Sequence, residues 1–352
     1  MADRMDWKTA ARAFRAGVLL PGVMLAADPG REQETAPPDE QQPIKFSYGG
    51  QAVMEGVMMR GAYNVAVAVR DPEGKIVVEE REINSALYRG PVSKIPFLRG
   101  LTLLWDSLGL GTRALMWSAD VALGEEEEIN FNGPLGYGTV LVSLAFGIGL
   151  FFLLPAAAAG GIERLFGLQH SELLTNIIEG IIRLLLIVGY IYAIGRMKDI
   201  ARIFQYHGAE HKTINAYEAG APLTPASVKR FPLEHPRCGT GFILVVAVIS
   251  IMVFSLLGRP PLVWLLLSRV VLIPVIAGIA YEYIKFTAAR MDRPWVRAMV
   301  APSLALQKLT TNEPTEDMLE VSITALKRVL ETEKLHRPGV VPVQEEVPAA
   351  AH

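Results

Sequence analysis

Charged residues nearly vanish from four stretches of the chain: 137–160, 176–195, 240–257 and 262–284. Each approaches or exceeds the ~20 residues with which an α-helix crosses a ~30 Å hydrocarbon core. Lipid offers no partner to backbone N–H and C=O groups, so such runs are expected to be helical. Buried helices of a soluble core are the bland alternative, and four such runs in one chain argue against it. Upstream the pattern is different. Tyr63–Arg70 alternates like a strand, Asp71-Pro72-Glu73-Gly74 signals a turn, and Lys75–Ile83 returns as a second strand. Between Pro96 and Leu123, Leu98, Leu101, Trp105, Leu108 and Leu115 recur at helical spacing, while Arg99, Asp106 and Arg113 fall on another face. That reads as an amphipathic helix lying on the membrane surface or under the spans. After the fourth run, Pro314-Thr315-Glu316-Asp317 opens a helix whose apolar face is Met318, Leu319, Ile323, Leu326 and Leu330.

These readings give a mainly α-helical polytopic membrane protein of about four transmembrane helices, with a small N-terminal α/β element containing a β-hairpin. The divisions are a disordered or peripheral tail and linker over 1–43, a β-containing segment over 44–95, and an interfacial helix over 96–124. The four spans follow, with a His/Cys-containing hairpin over 196–239 between the second and third. Helices over 285–333 and a disordered tail over 334–352 close the chain. Arg12 and Arg15 before the apolar stretch Ala16–Ala27 have some signal-peptide character, which Pro21 and Gly22 interrupt.

Of the 352 residues 51% are hydrophobic and 20% charged, and soluble domains carry about 25% charged residues. A net charge of -2 with no basic block gives no field to recruit nucleic acid. Basic residues do mark one side of the spans. Arg196, Lys198, Arg202, Lys212, Lys229, Arg230 and Arg237 lie between spans two and three, and Lys285, Arg290, Arg293 and Arg297 follow span four. The outer loops hold little beyond Arg164 and Arg259, so the positive-inside rule puts both termini and the middle loop in the cytoplasm of a cell-membrane protein. Glu125–Glu128 is a solvated acidic run. No internal repeat supports a transporter, and a homo-oligomer stays open.

The chemistry concentrates in the middle loop. Arg196–Gly220 continues span two at helical spacing and contains His207-Gly208-Ala209-Glu210-His211. Residues four apart share a helix face, so both imidazoles can reach one metal ion, and Glu210 on the flank would be a general base toward water. The order H-x-x-E-H is that of inverzincin metallopeptidases, without the distant glutamate that fold requires. Glu218 lies further along the same face, in a supporting role. Before span three, His235 and Cys238, the only cysteine, each offer a third ligand, with Arg237 between them. A zinc-like divalent ion is the expected cofactor. The bland readings are a hydrogen-bonded structural His pair and a Cys acting as a small hydrophobe.

Tyr48–Gly61 (YGGQAVMEGVMMRG) reads as a tight glycine-rich loop packed under the spans or closing over the site, with Glu55 and Arg60, like Glu218 and Arg237, candidates to support the site or contact substrate, and Met54, Met58 and Met59 as core filling. Within the spans, Glu179 and Arg183 pair toward the outer end of span two, and Arg269 sits near the outer end of span four. Tyr281-Glu282-Tyr283 at the inner end of span four is placed to face the histidines.

Three blocks, Tyr48–Gly61, Tyr206–Gly220 (YHGAEHKTINAYEAG) and His235–Gly241 (HPRCGTG), with a closing block Leu306–Pro314 (LQKLTTNEP), resemble the signature segments of the YqhQ-like family. The resemblance implies a membrane-bound protein, described as a predicted metal-dependent enzyme, and supports the choice of His207, Glu210, His211, His235 and Cys238. It supplies no substrate. A metal-dependent hydrolase of a membrane-proximal or lipid-linked substrate is one expectation. A non-catalytic scaffold or assembly factor whose His/Cys cluster is structural is the other.

Overall fold

The computed structural model describes residues 48–83, 95–124, 141–143, 145–167, 172–258 and 261–335. Several expectations lie outside these residues: the tail and linker over 1–43 with Ala16–Ala27, the acidic run Glu125–Glu128, the start of the first span at 137–140, Arg259, the side chains of Trp105 and Arg269, and the tail from 336 on.

Four strands form one antiparallel sheet in chain order: β1 (Gly49–Val53), β2 (Gly56–Arg60), β3 (Asn64–Arg70) and β4 (Ile76–Glu82). The expected hairpin is the β3–β4 pair, its register running from Asn64↔Glu82 to Arg70↔Ile76 around the Asp71–Gly74 turn. The expected glycine-rich loop is corrected, because Tyr48–Gly61 is itself a hairpin. Val53 pairs with Gly56 across a two-residue turn, and Glu55 takes φ 51 there. Gly56 must be bare, since a Cβ on it would lie 2.2 Å from Ala68 O on β3. Strand alternation is hidden in the sequence because β2 is apolar on both faces, with Val57, Met58 and Met59 all buried.

Both faces of the sheet are covered. Helix α1 (Leu98–Leu123) lays Leu110, Ala114, Trp117 and Val121 over Val53, Met58, Val65, Val67 and Val69. The opposite face, with Val57, Met59, Ala66 and Ala68, packs on α4 (Lys198–Glu218) and α9 (Glu316–Leu335). One apolar face of α1 therefore serves the sheet.

The spans are α2, whose apolar helix runs Leu141–Phe166 with a π-helical turn at Gly149–Leu153 and its regular α part at Leu154–Phe166, then α3 (Glu172–Ile194), α6 (Gly239–Leu256) and α7 (Leu262–Ala288). All four are long and apolar enough to cross a membrane, and most of their surface is unburied by protein. Between α3 and α6 lie α4 (Lys198–Glu218) and the short α5 (Pro225–Val228); α8 (Pro294–Gln307) and α9 (Glu316–Leu335) follow α7. The end of α9 takes in two residues expected in the tail. Met318, Leu319, Ile323 and Leu326 of α9 are buried against the sheet and α4.

Arg183 is not near the outer end of span two. Eleven residues of α3 lie on each side of it. It binds Glu179 at 2.6 Å, and its Nε donates to Phe151 O at 2.9 Å, on the π-helical turn of the first span. Glu282 also differs from expectation: its carboxylate takes the fork of Arg99 at 2.7 and 2.5 Å rather than facing the histidines.

Candidate metal centre

Span two does not run unbroken into the histidine helix. Turn hydrogen bonds from Gly195 to Ile191 and from Met197 to Ile194 end α3, and α4 restarts at Lys198 with Asp199 in its first turn. This break sets α4 under the sheet instead of along the span axis, and Tyr206, Ala209, Ile214 and Ala216 anchor it in the core.

On α4, His207 and His211 meet edge to face, with ring centroids 4.4 Å apart and planes at 63°. Nδ1 of His207 lies 2.9 Å from Thr310 O, and Nδ1 of His211 bonds Leu233 O. A carbonyl only accepts, so each ring carries a proton on Nδ1, which leaves Nε2 as the nitrogen through which a neutral imidazole would ligate. Cys238 lies 3.2 Å from His207 Nε2. The ligand atoms of His207, His211 and Cys238 all lie within 4.8 Å of one another. His211 is 1% exposed, and its Nε2 is buried with no hydrogen-bond partner. Such an orphan costs stability unless something fills it, and two imidazoles with a thiol are a donor set suited to zinc. The carbonyl-held Nδ1–H groups are the outer support that metal-bound histidines ordinarily have.

Cys238 owes its position to span three. It is the N-cap of α6, its sulfur accepting from Thr240 N at 3.4 Å. His235 is held differently: the Gln307 side chain receives its N–H at 3.0 Å and donates to its carbonyl at 2.9 Å. Its Nε2 is unpartnered and lies 3.8 Å from a Glu218 oxygen, outside the trio. Burial pushes the His235 imidazole down to about 4, Glu218 opposing and Arg237 and His211 adding to the effect. Burial would raise the Glu218 carboxyl, but the neighbouring His235 and the Arg237 guanidinium, which donates to it, hold it below the usual range.

Glu210, 5% exposed, leaves the helix toward β1. Burial pushes its carboxyl up to about 7, against the pull of His207 and a hydrogen bond donated by Gly50 N–H. A Cβ on Gly50 would lie 2.9 Å from the Glu210 side chain, which explains the glycine. Glu55 and Arg60 sit away from the trio. Glu55 takes a forked bond from Arg202 and a 3.3 Å bond from Tyr206 OH, and Arg60 bonds Ser107 at 2.9 Å.

Thr310, Gln307 and Gly208 were not picked out by residue type. Gln307 ends α8 and holds His235, while Thr310 and Gly208 serve one contact, in which the segment after α8 passes over α4 so closely that a Cβ on Gly208 would lie 2.1 Å from Asn312 O. The block Leu306–Pro314 was the available signal, since its chain supplies Thr310 O to His207.

Residues 95–332 match the model of a family described as a protein of unknown function (DUF1385). The chain is 36% identical over 311 residues to "Uncharacterized protein YqhQ" of Bacillus subtilis (strain 168), covering 84% of this chain and 96% of that protein. No solved structure matches the chain.

Proposed function

From the premise that this chain belongs to the DUF1385, YqhQ-like family, we propose that it is a cytoplasmic-membrane protein with a metal-dependent hydrolytic centre at the inner membrane face. The observation that carries this reading is the convergence of His207, His211 and Cys238, with the buried, unpartnered Nε2 of His211 among them. These three residues would hold a divalent ion such as zinc. When bound, that ion supplies Lewis-acid polarisation of a substrate carbonyl or phosphoryl oxygen.

The protein's own groups do the rest. Thr310 O and Leu233 O fix the ring orientations. Glu210, with its carboxyl at about 7, exchanges a proton readily near neutral pH and is the general base. Glu218, Arg237 and His235 form the supporting edge of the site. Because Cys238 caps a span, the centre lies at the membrane boundary, which favours a membrane-proximal or lipid-linked substrate. The basic loops Arg196–Arg237 and Lys285–Arg297 support the cytoplasmic orientation of the centre and of both termini.

A second reading, a scaffold with structural metal, is favoured by one observation. The same trio ties α4 to the cap of span three, a connection that stabilises architecture without turnover. Turnover of lipid esters and lipid-linked phosphates by the reconstituted chain separates the two. A Glu210→Gln variant that keeps metal but loses turnover supports the enzyme. Metal in both proteins with turnover in neither supports the scaffold.

A further inference from the structure

The start of α1 lies beside span four, at a depth its sequence does not announce. A Cβ on Gly278 would lie 3.1 Å from Phe97 O, and a Cβ on Gly100 would lie 2.8 Å from Tyr281 Cβ. Three residues forward on α1 thus match three residues forward on α7, so the two helices are locally parallel and the N-terminus of α1 is its deepest point. Gly278 stands ten residues before Ala288, the end of α7, or about 15 Å at 1.5 Å per residue. A crossing of ~20 residues that begins at Leu262 ends near Tyr281, which leaves Gly278 inside the apolar layer.

We infer that the first turn of α1, with Ile95, Phe97 and Leu98, is immersed among the acyl chains of the inner leaflet as a fifth membrane contact that does not span. These three side chains are exposed to 48%, 54% and 42%, and they continue the exposed apolar surface of α7 at Val275 and Ile279. Irregular backbone at this depth needs its polar groups met by protein. Phe97 N–H donates to Glu282 Oε1 at 3.3 Å, and the same carboxylate neutralises Arg99. Leu98 N–H and Arg99 N–H find Pro96 O and Ile95 O at 2.8 and 3.1 Å, closing the chain into a tight reversal. Phe97 takes φ 65, a conformation costly for a bulky side chain and retained where surrounding contacts enforce it. An exposed aromatic on a strained tip has a physical reason in lipid and none in water.

The test uses the full chain in nanodiscs of phosphatidylcholine and phosphatidylglycerol. An environment-sensitive fluorophore is placed at Phe97→Cys, with Ile95→Cys as a second tip position and Asp120→Cys near the other end of α1 as the control. The parent, with buried Cys238, gives the background labelling. Blue-shifted emission at both tip positions, quenched by acyl-chain nitroxide lipids and not by iodide, with the reverse at the control, is the expected result. Iodide quenching at the tip overturns the inference. Protection from both quenchers also overturns it, because it would place another protein surface, such as a second copy, over the tip.

Discussion

Two polar clusters are packed among the helices, and they are finished in different ways. At the midpoint of span two, Arg183 and Glu179 hold each other, and Arg183 spends its remaining reach on a carbonyl of the first span. Beside the cap of span three, His207 and His211 have one nitrogen each tied to a carbonyl while their other nitrogens converge on Cys238, and His211 Nε2 has no hydrogen-bond partner. A cluster whose charges are matched internally stabilises an arrangement of helices. A cluster that brings two imidazoles and a thiol within 4.8 Å of one another is a donor set that can hold a divalent ion. The mid-span pair therefore reads as architecture, and the trio as the candidate metal centre proposed above.

The largest effect tests the architectural half. Arg183→Leu takes from half-buried Glu179 the guanidinium that neutralises it in the middle of a span, which is expected to cost about 3–5 kcal/mol, whereas Arg183→Leu/Glu179→Leu recovers most of that loss. Thermal unfolding in detergent measures both. A single variant as stable as the parent would mean that the pair is open to solvent and no different in kind from a surface bridge.

Next comes Glu210, whose burial at a raised pKa is a cost the fold carries on the chemical side. Its folded value of about 7 stands above the ordinary 4.5. Between these values the folded state binds more protons than the unfolded one, so this group's contribution to stability falls as pH rises from 4.5 to 7 and stays low above. At 1.36 kcal/mol per unit the difference is about 3 kcal/mol. Glu210→Gln removes the penalty. Chelator-treated Glu210→Gln is expected to gain stability over the parent at pH 8 and little at pH 5. A pH-independent difference would contradict the assignment. Smaller again is Gly208→Ala, whose added methyl meets Asn312 O and is expected to cost about 1–3 kcal/mol. It should also lower metal retention, since the segment carrying Thr310 O must move. Unchanged melting and metal content would show that this segment yields freely.

Which parts were legible follows from which forces wrote them. The spans were readable because the bilayer requires long apolar runs whatever their neighbours do, and the β3–β4 hairpin because its turn chemistry is local. Tyr48–Gly61 reads as a loop because Gly49, Gly50 and Gly56 are bad strand formers, Gly50 retained for close approach to Glu210 and Gly56 for close approach to β3. The facing of α1 is ambiguous in the sequence because the helix is apolar on more than one side, with Leu108, Leu115 and Met116 exposed beside the positions that cover the sheet. At the site, helical spacing paired His207 with His211, but the choice between His235 and Cys238 depended on tertiary contacts. Gln307 clamps the backbone of His235 and keeps its ring with Glu218, whereas capping span three turns the Cys238 sulfur inward.

The most direct test is the metal content of the chain purified in detergent, measured by elemental mass spectrometry beside His207→Ala/His211→Ala, Cys238→Ser and His235→Ala. A stoichiometric divalent metal in the parent, absent from the double variant, reduced in Cys238→Ser and retained in His235→Ala, is the predicted result. Equal metal content in the parent and the double variant would contradict a metal centre at this site.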